Sequence, residues 1–281
     1  MTSINILMKK LIKRLLQELG YEIRKKTLDF SPVIEAPDLG YFVSNENDLD
    51  YYSTPAGNYF IPVHAPNDVV LNCMKAGVYF EPEVIAIARK LIKRGTVVLD
   101  VGSNFGQMAI LFSKLVGEDG LVYAFEADDY VFEVLKKNIA ANNCKNVIPV
   151  FGAVHNEAGK ELIFPKQDFV QFDAYGSYGI DPTAESGRKV RSIKIDDIEF
   201  IKPVSFMKVD VQGSDFFAME GARETVLHHK MPILFEFEQQ FQEQFGTTFQ
   251  NYVSFVNEVD YKFDEIIMEI NYLVSPKLII V

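Results

Sequence analysis

The sequence predicts an α/β protein with a doubly wound, mostly parallel sheet of seven strands. Three observations predict it. Between residues 97 and 259, short apolar runs alternate with stretches of helical periodicity. The apolar runs are near-continuous, as strands covered on both faces by helices are. A glycine turn, Gly102 to Gly106, joins the first run to the first helix of the series.

The elements follow in order. Strands are expected at 97–102, 121–126, 147–153, 205–211 and 232–238. Helices are expected near 105–116, 129–142, 214–229 and 248–259. Two last runs, 263–270 and 272–280, have no helix between them and predict an antiparallel pair at the sheet edge. Ahead of the series, Val84, Ile85, Ala88, Leu91 and Ile92 form one stripe, so Pro82–Arg94 reads as a helix that stops at Gly95. The domain so defined is 76–281. The segment 155–195 breaks its alternation. Strand-like flanks at 161–164 and 190–195 enclose Phe169, Phe172, Tyr175 and Tyr178, which reads as a hairpin-like insertion with an aromatic tip. Such a tip either binds a ligand or folds back on the body.

Residues 1–75 read as an N-terminal extension. Residues 1–26 carry seven basic and two acidic side chains, and the rest of the chain sums to −16. Leu7, Leu11, Leu15, Leu16 and Leu19 recur near helical spacing, with Lys9, Lys10, Lys13 and Arg14 on other faces. A basic amphipathic helix of this kind lies on an anionic membrane surface or packs on its own or a second subunit. Residues 27–70, with five prolines, read as irregular apart from a short strand at 58–63.

The net charge of −11 argues against a general nucleic-acid binder, which needs clustered Lys and Arg. Cys73 and Cys144 sit in no CxxC or Cys/His pattern, so neither a disulfide nor a zinc site is expected. No apolar run reaches the roughly 20 residues that span a bilayer. Near the start, apolar residues precede basic ones, the reverse of an export signal, so a cytoplasmic location is expected, with the inner membrane face as the one peripheral site.

Ligands of doubly wound sheets bind at the carboxyl ends of the strands, where strand order reverses. The ends expected here are polar or small. The first strand ends in Asp100 and Gly102, the second in Glu126, the third near Ala153, the fourth in Asp210, and the fifth carries Glu236 and Glu238. Gly102 and Gly106 let backbone approach a cofactor closely. Asp100, placed before the first glycine, would repel a diphosphate and attract a cationic amino-acid end. That selects S-adenosylmethionine. Asp100 balances its ammonium, Ser103 belongs to the same turn, Asn104 holds the carboxylate or orients the turn, and Glu126 takes both ribose hydroxyls. Backbone near Ala153 reads adenine.

Here the chain resembles the FkbM family of methyltransferases. The matching pieces are Gly77-Val78-Tyr79-Phe80-Glu81, the Val97–Gly106 turn, Phe125-Glu126-Ala127, Ser192-Ile193-Lys194-Ile195-Asp196-Asp197, Met207-Lys208-Val209-Asp210-Val211-Gln212-Gly213 and Gly221-Ala222. The resemblance spans about residues 58–275. It implies a Rossmann-like class I methyltransferase fold, S-adenosylmethionine as cofactor, a cofactor-site place for Glu81, and methylation of a hydroxyl on a sugar, glycan, lipid-linked or polyketide-type acceptor. Ser214-Asp215 departs from the family, which more often has an apolar residue and then Glu.

A hydroxyl needs a base to take its proton. Asp210 is the first candidate; its competing role is a carboxylate capping the helix near Ser214. Glu236 is second, unless it pairs with Lys208 on the neighbouring strand. His155 is third, with an ordinary pKa near the working range. Asp210 and Glu236 alone are too few ligands for a metal site, and none is assigned. Two other classes compete: an NAD-dependent oxidoreductase or epimerase of nucleotide sugars, weakened by the missing Gly-x-Gly-x-x-Gly pattern, and a catalytically inactive interaction module. The partners expected are the acceptor, a membrane surface through residues 1–26, and a second copy of the chain.

Overall fold

The computed structural model describes residues 41–46, 49–63, 67–165 and 175–277. The basic stretch 1–26, together with Phe169 and Phe172, lies outside the described residues. Strands β1 (Tyr41–Glu46), β2 (Leu49–Ser53) and β3 (Asn58–Pro62) form an antiparallel meander. This corrects the irregular reading of 27–70 where the chain is described. The order comes from pairing and from the body beneath. Phe60 N donates to Asn138 Oδ1 (2.6 Å) and Asn58 N to Asn142 Oδ1 (2.9 Å). Helix α1 (Val69–Ala76), also unread in the sequence, starts at the Asp68 cap and stops at Gly77 with φ 69°. The expected boundary at residue 75 therefore falls inside a helix.

Helix α2 (Pro82–Leu91) leads into the central series. That series runs β4 (Val97–Val101), α3 (Gln107–Val116), β5 (Leu121–Glu126), α4 (Asp129–Ala141) and β6 (Val147–Phe151). A small sheet follows, in which β7 (Ala153–Val154) and β8 (Glu161–Pro165) flank β9 (Gly187–Ile193). Strands β8 and β9 pair antiparallel. The chain then continues through β10 (Val204–Val209), α5 (Asp215–Glu220), α6 (Arg223–His229), β11 (Ile233–Glu236), α7 (Gln239–Phe245), α8 (Phe249–Glu258), β12 (Tyr261–Ile267) and β13 (Asn271–Pro276).

The main sheet has seven strands in the order β6-β5-β4-β10-β11-β13-β12. All neighbours from β6 to β11 are parallel, and β13 runs antiparallel to both its neighbours. Every residue of β4, β10 and β11 is buried. Side-chain alternation divides the core. Val98, Phe206 and Leu234 join the α2 and α3 side, whereas Leu99, Met207 and Phe235 join the α5, α6 and α8 side.

The helix expected over 214–229 is two helices. At Gly221 a Cβ would lie 2.1 Å from His155 O, and Gly221 O accepts from Asp196 N (2.9 Å), so a crossing backbone interrupts the helix. Strand order reverses between β4 and β10. Their carboxyl ends carry Asp100 and Asp210, and the site opens there.

Candidate active site

The turn after β4 is held by backbone. Gly102 and Ser103 both donate N–H to Phe125 O (3.1 and 2.9 Å), and Gly106 N donates to Ser103 O (2.9 Å). Ser103 Oγ returns to Asp100 O (2.8 Å). Gly102 has φ +81°, and a Cβ there would meet Asp210 O at 1.8 Å. Only glycine lets the turn lie against the end of β10. Gly106, with φ +90°, leaves room for Leu135 in the same way.

Glu126 closes this side. Its Oε2 accepts from Asn104 N (2.9 Å), and its Oε1 from Ala127 N and Asp128 N (both 2.8 Å). Burial pushes its pKa up to about 7, against the pull of those amide donors. Asp100 is fully buried, and among the described residues neither carboxylate oxygen has a hydrogen-bond partner. It stands in register with Lys208 on β10. Burial raises its pKa to about 6, although Lys208 pulls the other way.

The turn after β10 is held by side chains. Lys208 Nζ donates to Asp210 Oδ2 at 2.9 Å. Gln212, with φ +51°, donates from Nε2 to Asp210 Oδ1 and to Glu236 Oε2, both at 3.1 Å. Burial alone would raise the pKa of Asp210, but the Lys208 ammonium holds it below the usual carboxylate range. Burial and the Asp210 charge push Glu236 up to about 11. The expected Lys208–Glu236 alternative is thus replaced by a Lys208–Asp210 ion pair.

The helix after Ser214 has no side-chain cap, from Asp210 or any other residue, and Asp215, its first residue, binds the turn before it instead. Its Oδ1 accepts from Val211 N (3.2 Å) and its Oδ2 from Gly213 N (3.0 Å), fastening the turn. Burial lifts its pKa to about 7. The family departure at this position is therefore a short carboxylate bound to its own lead-in turn.

Between the two turns lies an open cleft. Of the residues expected from sequence, Gly102, Asn104, Glu126, Ala153 and Asp210 line it. Asp100, Ser103, Gly106, Glu81 and Glu236 do not. Asp100, Ser103 and Gly106 belong to the turn that forms the wall, and Glu236 reaches the wall through Gln212. Glu81 is buried, its Oε1 accepts from Asn271 Nδ2 (3.1 Å), and burial together with the Asp210 charge raises its pKa.

His155 stands apart. Its ring stacks on Phe217 (4.9 Å, 7°), its backbone N–H bonds Ile193 O, and burial lowers its pKa. It is a packed histidine and not a residue of the cleft wall. Among the described residues, no group of three or more His, Cys, Asp or Glu could hold a metal ion.

Sequence reasoning missed three features of the wall. Gln212 lay inside a quoted motif, yet its bridging role depends on a left-handed backbone. Asp128 lines the cleft and pairs with Arg188 on β9. The third is the run Tyr175–Ile180, of which Tyr175, Gly176, Tyr178, Gly179 and Ile180 face the cleft. The aromatic residues were the one signal for it.

Residues 100–263 match the family model described as the methyltransferase FkbM domain. The chain belongs to the FkbM methyltransferase family. The probable cobalt-precorrin-6B C(15)-methyltransferase (decarboxylating) of Sulfolobus acidocaldarius is 36% identical over 85 residues, 29% of this chain and 44% of its own. The FkbM-family chain spans less than half the length of the curated relatives it matches. The methyltransferase FkbM structure from Methylobacillus flagellatus superposes with a TM-score of 0.43 at 15% identity, over 73% of this chain and 52% of that one. Fibrillarin of Aeropyrum pernix, solved with natively bound S-adenosyl-L-methionine, superposes with a TM-score of 0.39 at 11% identity, over 83% and 98%.

Proposed function

We propose that this chain is an S-adenosylmethionine-dependent O-methyltransferase acting on a neutral hydroxyl of a sugar, glycan, lipid-linked or polyketide-type acceptor. One observation carries the cofactor. Asp100 is a fully buried carboxylate without a hydrogen-bond partner among the described residues, at the foot of a glycine turn that admits no Cβ. A buried carboxylate left in this state is costly, and a cationic amino-acid end offsets that cost. The residues present fit the group: Asp100, beneath the turn that forms the wall, for the positive charge of the ammonium, Glu126 with both oxygens fixed for the ribose hydroxyls, and backbone at Ala153 for the base. When bound, the cofactor supplies an electrophilic methyl group on positive sulfur.

The chain's own residues do the rest. Asp210 lines the cleft and is kept ionised by Lys208, so it can accept the hydroxyl proton of an acceptor while the lone pair stays on oxygen. Gln212 holds the Asp210 carboxylate and bridges it to Glu236. The described lining residues include Glu126, Asp128 and Asp210 and no Lys, Arg or His. That favours a neutral acceptor over a phosphorylated one or a nucleic acid. The same carboxylates weigh against the diphosphate of an NAD-type cofactor.

The test is transfer of labelled methyl from S-adenosylmethionine to fractionated neutral glycans, lipid-linked sugars and polyketides. Label in a base-stable ether, lost in Asp210→Asn, supports the reading. Label in a base-labile ester, or on nitrogen or carbon, overturns the O-methyl part. We further propose a cytoplasmic location, with residues 1–26 either on the inner membrane face or in a subunit contact. Co-sedimentation with anionic vesicles, with and without residues 1–26, separates the two.

A further inference from the structure

The segment 175–180 touches both turns of the cleft. At Gly176 a Cβ would lie 2.9 Å from Asn104 Nδ2, and at Gly179 one would lie 3.0 Å from Val211 O and from Gln212 Cβ. The Tyr175 ring meets Phe105 edge-on (5.2 Å, 79°) and stacks on Tyr130 (5.8 Å, 22°). Phe105 belongs to the glycine turn itself. The segment therefore straps the donor-side turn to the acceptor-side turn.

One buried side chain anchors the near end of this strap. Asp68 caps α1, with Oδ1 accepting from Leu71 N at 2.9 Å. Its other oxygen, Oδ2, accepts from Tyr175 N at 2.8 Å, across 107 residues of sequence. Helix α1 is in turn tied to the body just after its end. Gln107, at the start of α3, donates to Val78 O (2.8 Å) and accepts from Phe80 N (2.9 Å). The far end of the strap is held by Asp181 N on Ile163 O (3.0 Å). A carboxylate has two acceptor oxygens, and Asp68 gives one to each element.

We propose that Asp68 is a positioning residue for the cofactor cleft, clamping the 175–180 strap in its closed place before the nucleoside arrives. The inference rests on the S-adenosylmethionine reading above. Its physical content is preorganisation: a wall ordered in advance need not be ordered by the ligand, so affinity is higher.

The experiment uses the full chain, S-adenosylhomocysteine as probe, calorimetry, and amide hydrogen exchange. In Asp68→Asn the side chain has one acceptor oxygen for two amides. In Asp68→Ser the helix cap survives and the strap contact is lost. Both variants are expected to weaken S-adenosylhomocysteine binding about tenfold, the scale of one charge-assisted hydrogen bond. Exchange at 175–180 should quicken by a similar factor while β4, β5 and β10 keep wild-type protection. Unchanged affinity, or exchange that quickens uniformly across the sheet, overturns the proposal. If wild type binds no S-adenosylhomocysteine, the cofactor reading fails, and exchange in the free chain still judges the clamp. If neither variant folds, the Tyr175 amide of wild type decides. Protection without ligand supports the clamp, and fast exchange until ligand is added overturns it.

Discussion

The donor-side turn, Asp100–Gly106, and the acceptor-side turn, Lys208–Asp215, face each other across one cleft and are built from different materials. On the donor side, backbone amides and carbonyls fix the shape, and glycine is required because a Cβ at residue 102 would meet Asp210 O at 1.8 Å. One carboxylate there, Asp100, is left without a hydrogen-bond partner among the described residues. On the acceptor side the side chains satisfy one another. Lys208 neutralises Asp210, Gln212 bridges Asp210 and Glu236, and Asp215 binds its own turn. The difference fits two tasks. A fixed cofactor needs a fixed cradle and one charge held in reserve. A proton acceptor needs a carboxylate whose ionisation is set by its neighbours.

The comparison can be broken at several points. Gly102→Ala should have the largest effect. The clash and the positive φ together should cost upwards of about 3 kcal/mol and abolish cofactor binding. Thermal melts and titration with S-adenosylhomocysteine read both losses. Asp210→Asn comes next. Methyl transfer should fall by about 10²–10⁴-fold, the usual range for a lost general base. Affinity for S-adenosylhomocysteine should stay within roughly threefold. A parallel loss of affinity would mean that Asp210 serves the donor side after all.

Asp100→Asn should stabilise the free chain at pH 8. Folding raises the Asp100 pKa from 3.8 to about 6, so the folded state holds its proton longer than the unfolded state. The resulting penalty is absent below about pH 4, grows as pH climbs, and is complete above about pH 6. A shift of this size is worth about 3 kcal/mol. The melting point of Asp100→Asn should therefore exceed that of wild type at pH 8 and match it at pH 4. The smallest effect belongs to Glu236→Gln. Glutamine mimics a protonated Glu236, so the rate should change by less than about threefold and the stability by less than about 1 kcal/mol. A large loss would show that Glu236 works as a charge.

What the sequence disclosed follows the same division. Asp100, Gly102, Gly106 and Glu126 were legible because backbone geometry demands particular residues at fixed spacing. The strand series was legible because buried parallel strands are continuous apolar runs. Lys208, Asp210 and Gln212 were visible as a motif, but their partners were not. Which carboxylate Lys208 meets is decided by packing, and where the Gln212 side chain goes is decided by a φ of +51°. Asp68 was one acid among many in a proline-rich stretch, since its partner Tyr175 is distant in sequence. Strands β1 and β2 escaped because their pairing, not their apolar pattern, orders them. His155 looked like a base from its place after the third strand and proved to be a ring stacked on Phe217.

The most direct measurement is calorimetric titration of the full chain with S-adenosylmethionine at pH 5 and pH 8. The account predicts one molecule bound per chain, with tighter binding at pH 8, where Asp100 is ionised and meets the ammonium. Asp100→Asn should bind more weakly and lose that pH dependence. Absence of binding at both pH values, or equal binding by wild type and Asp100→Asn, would contradict it.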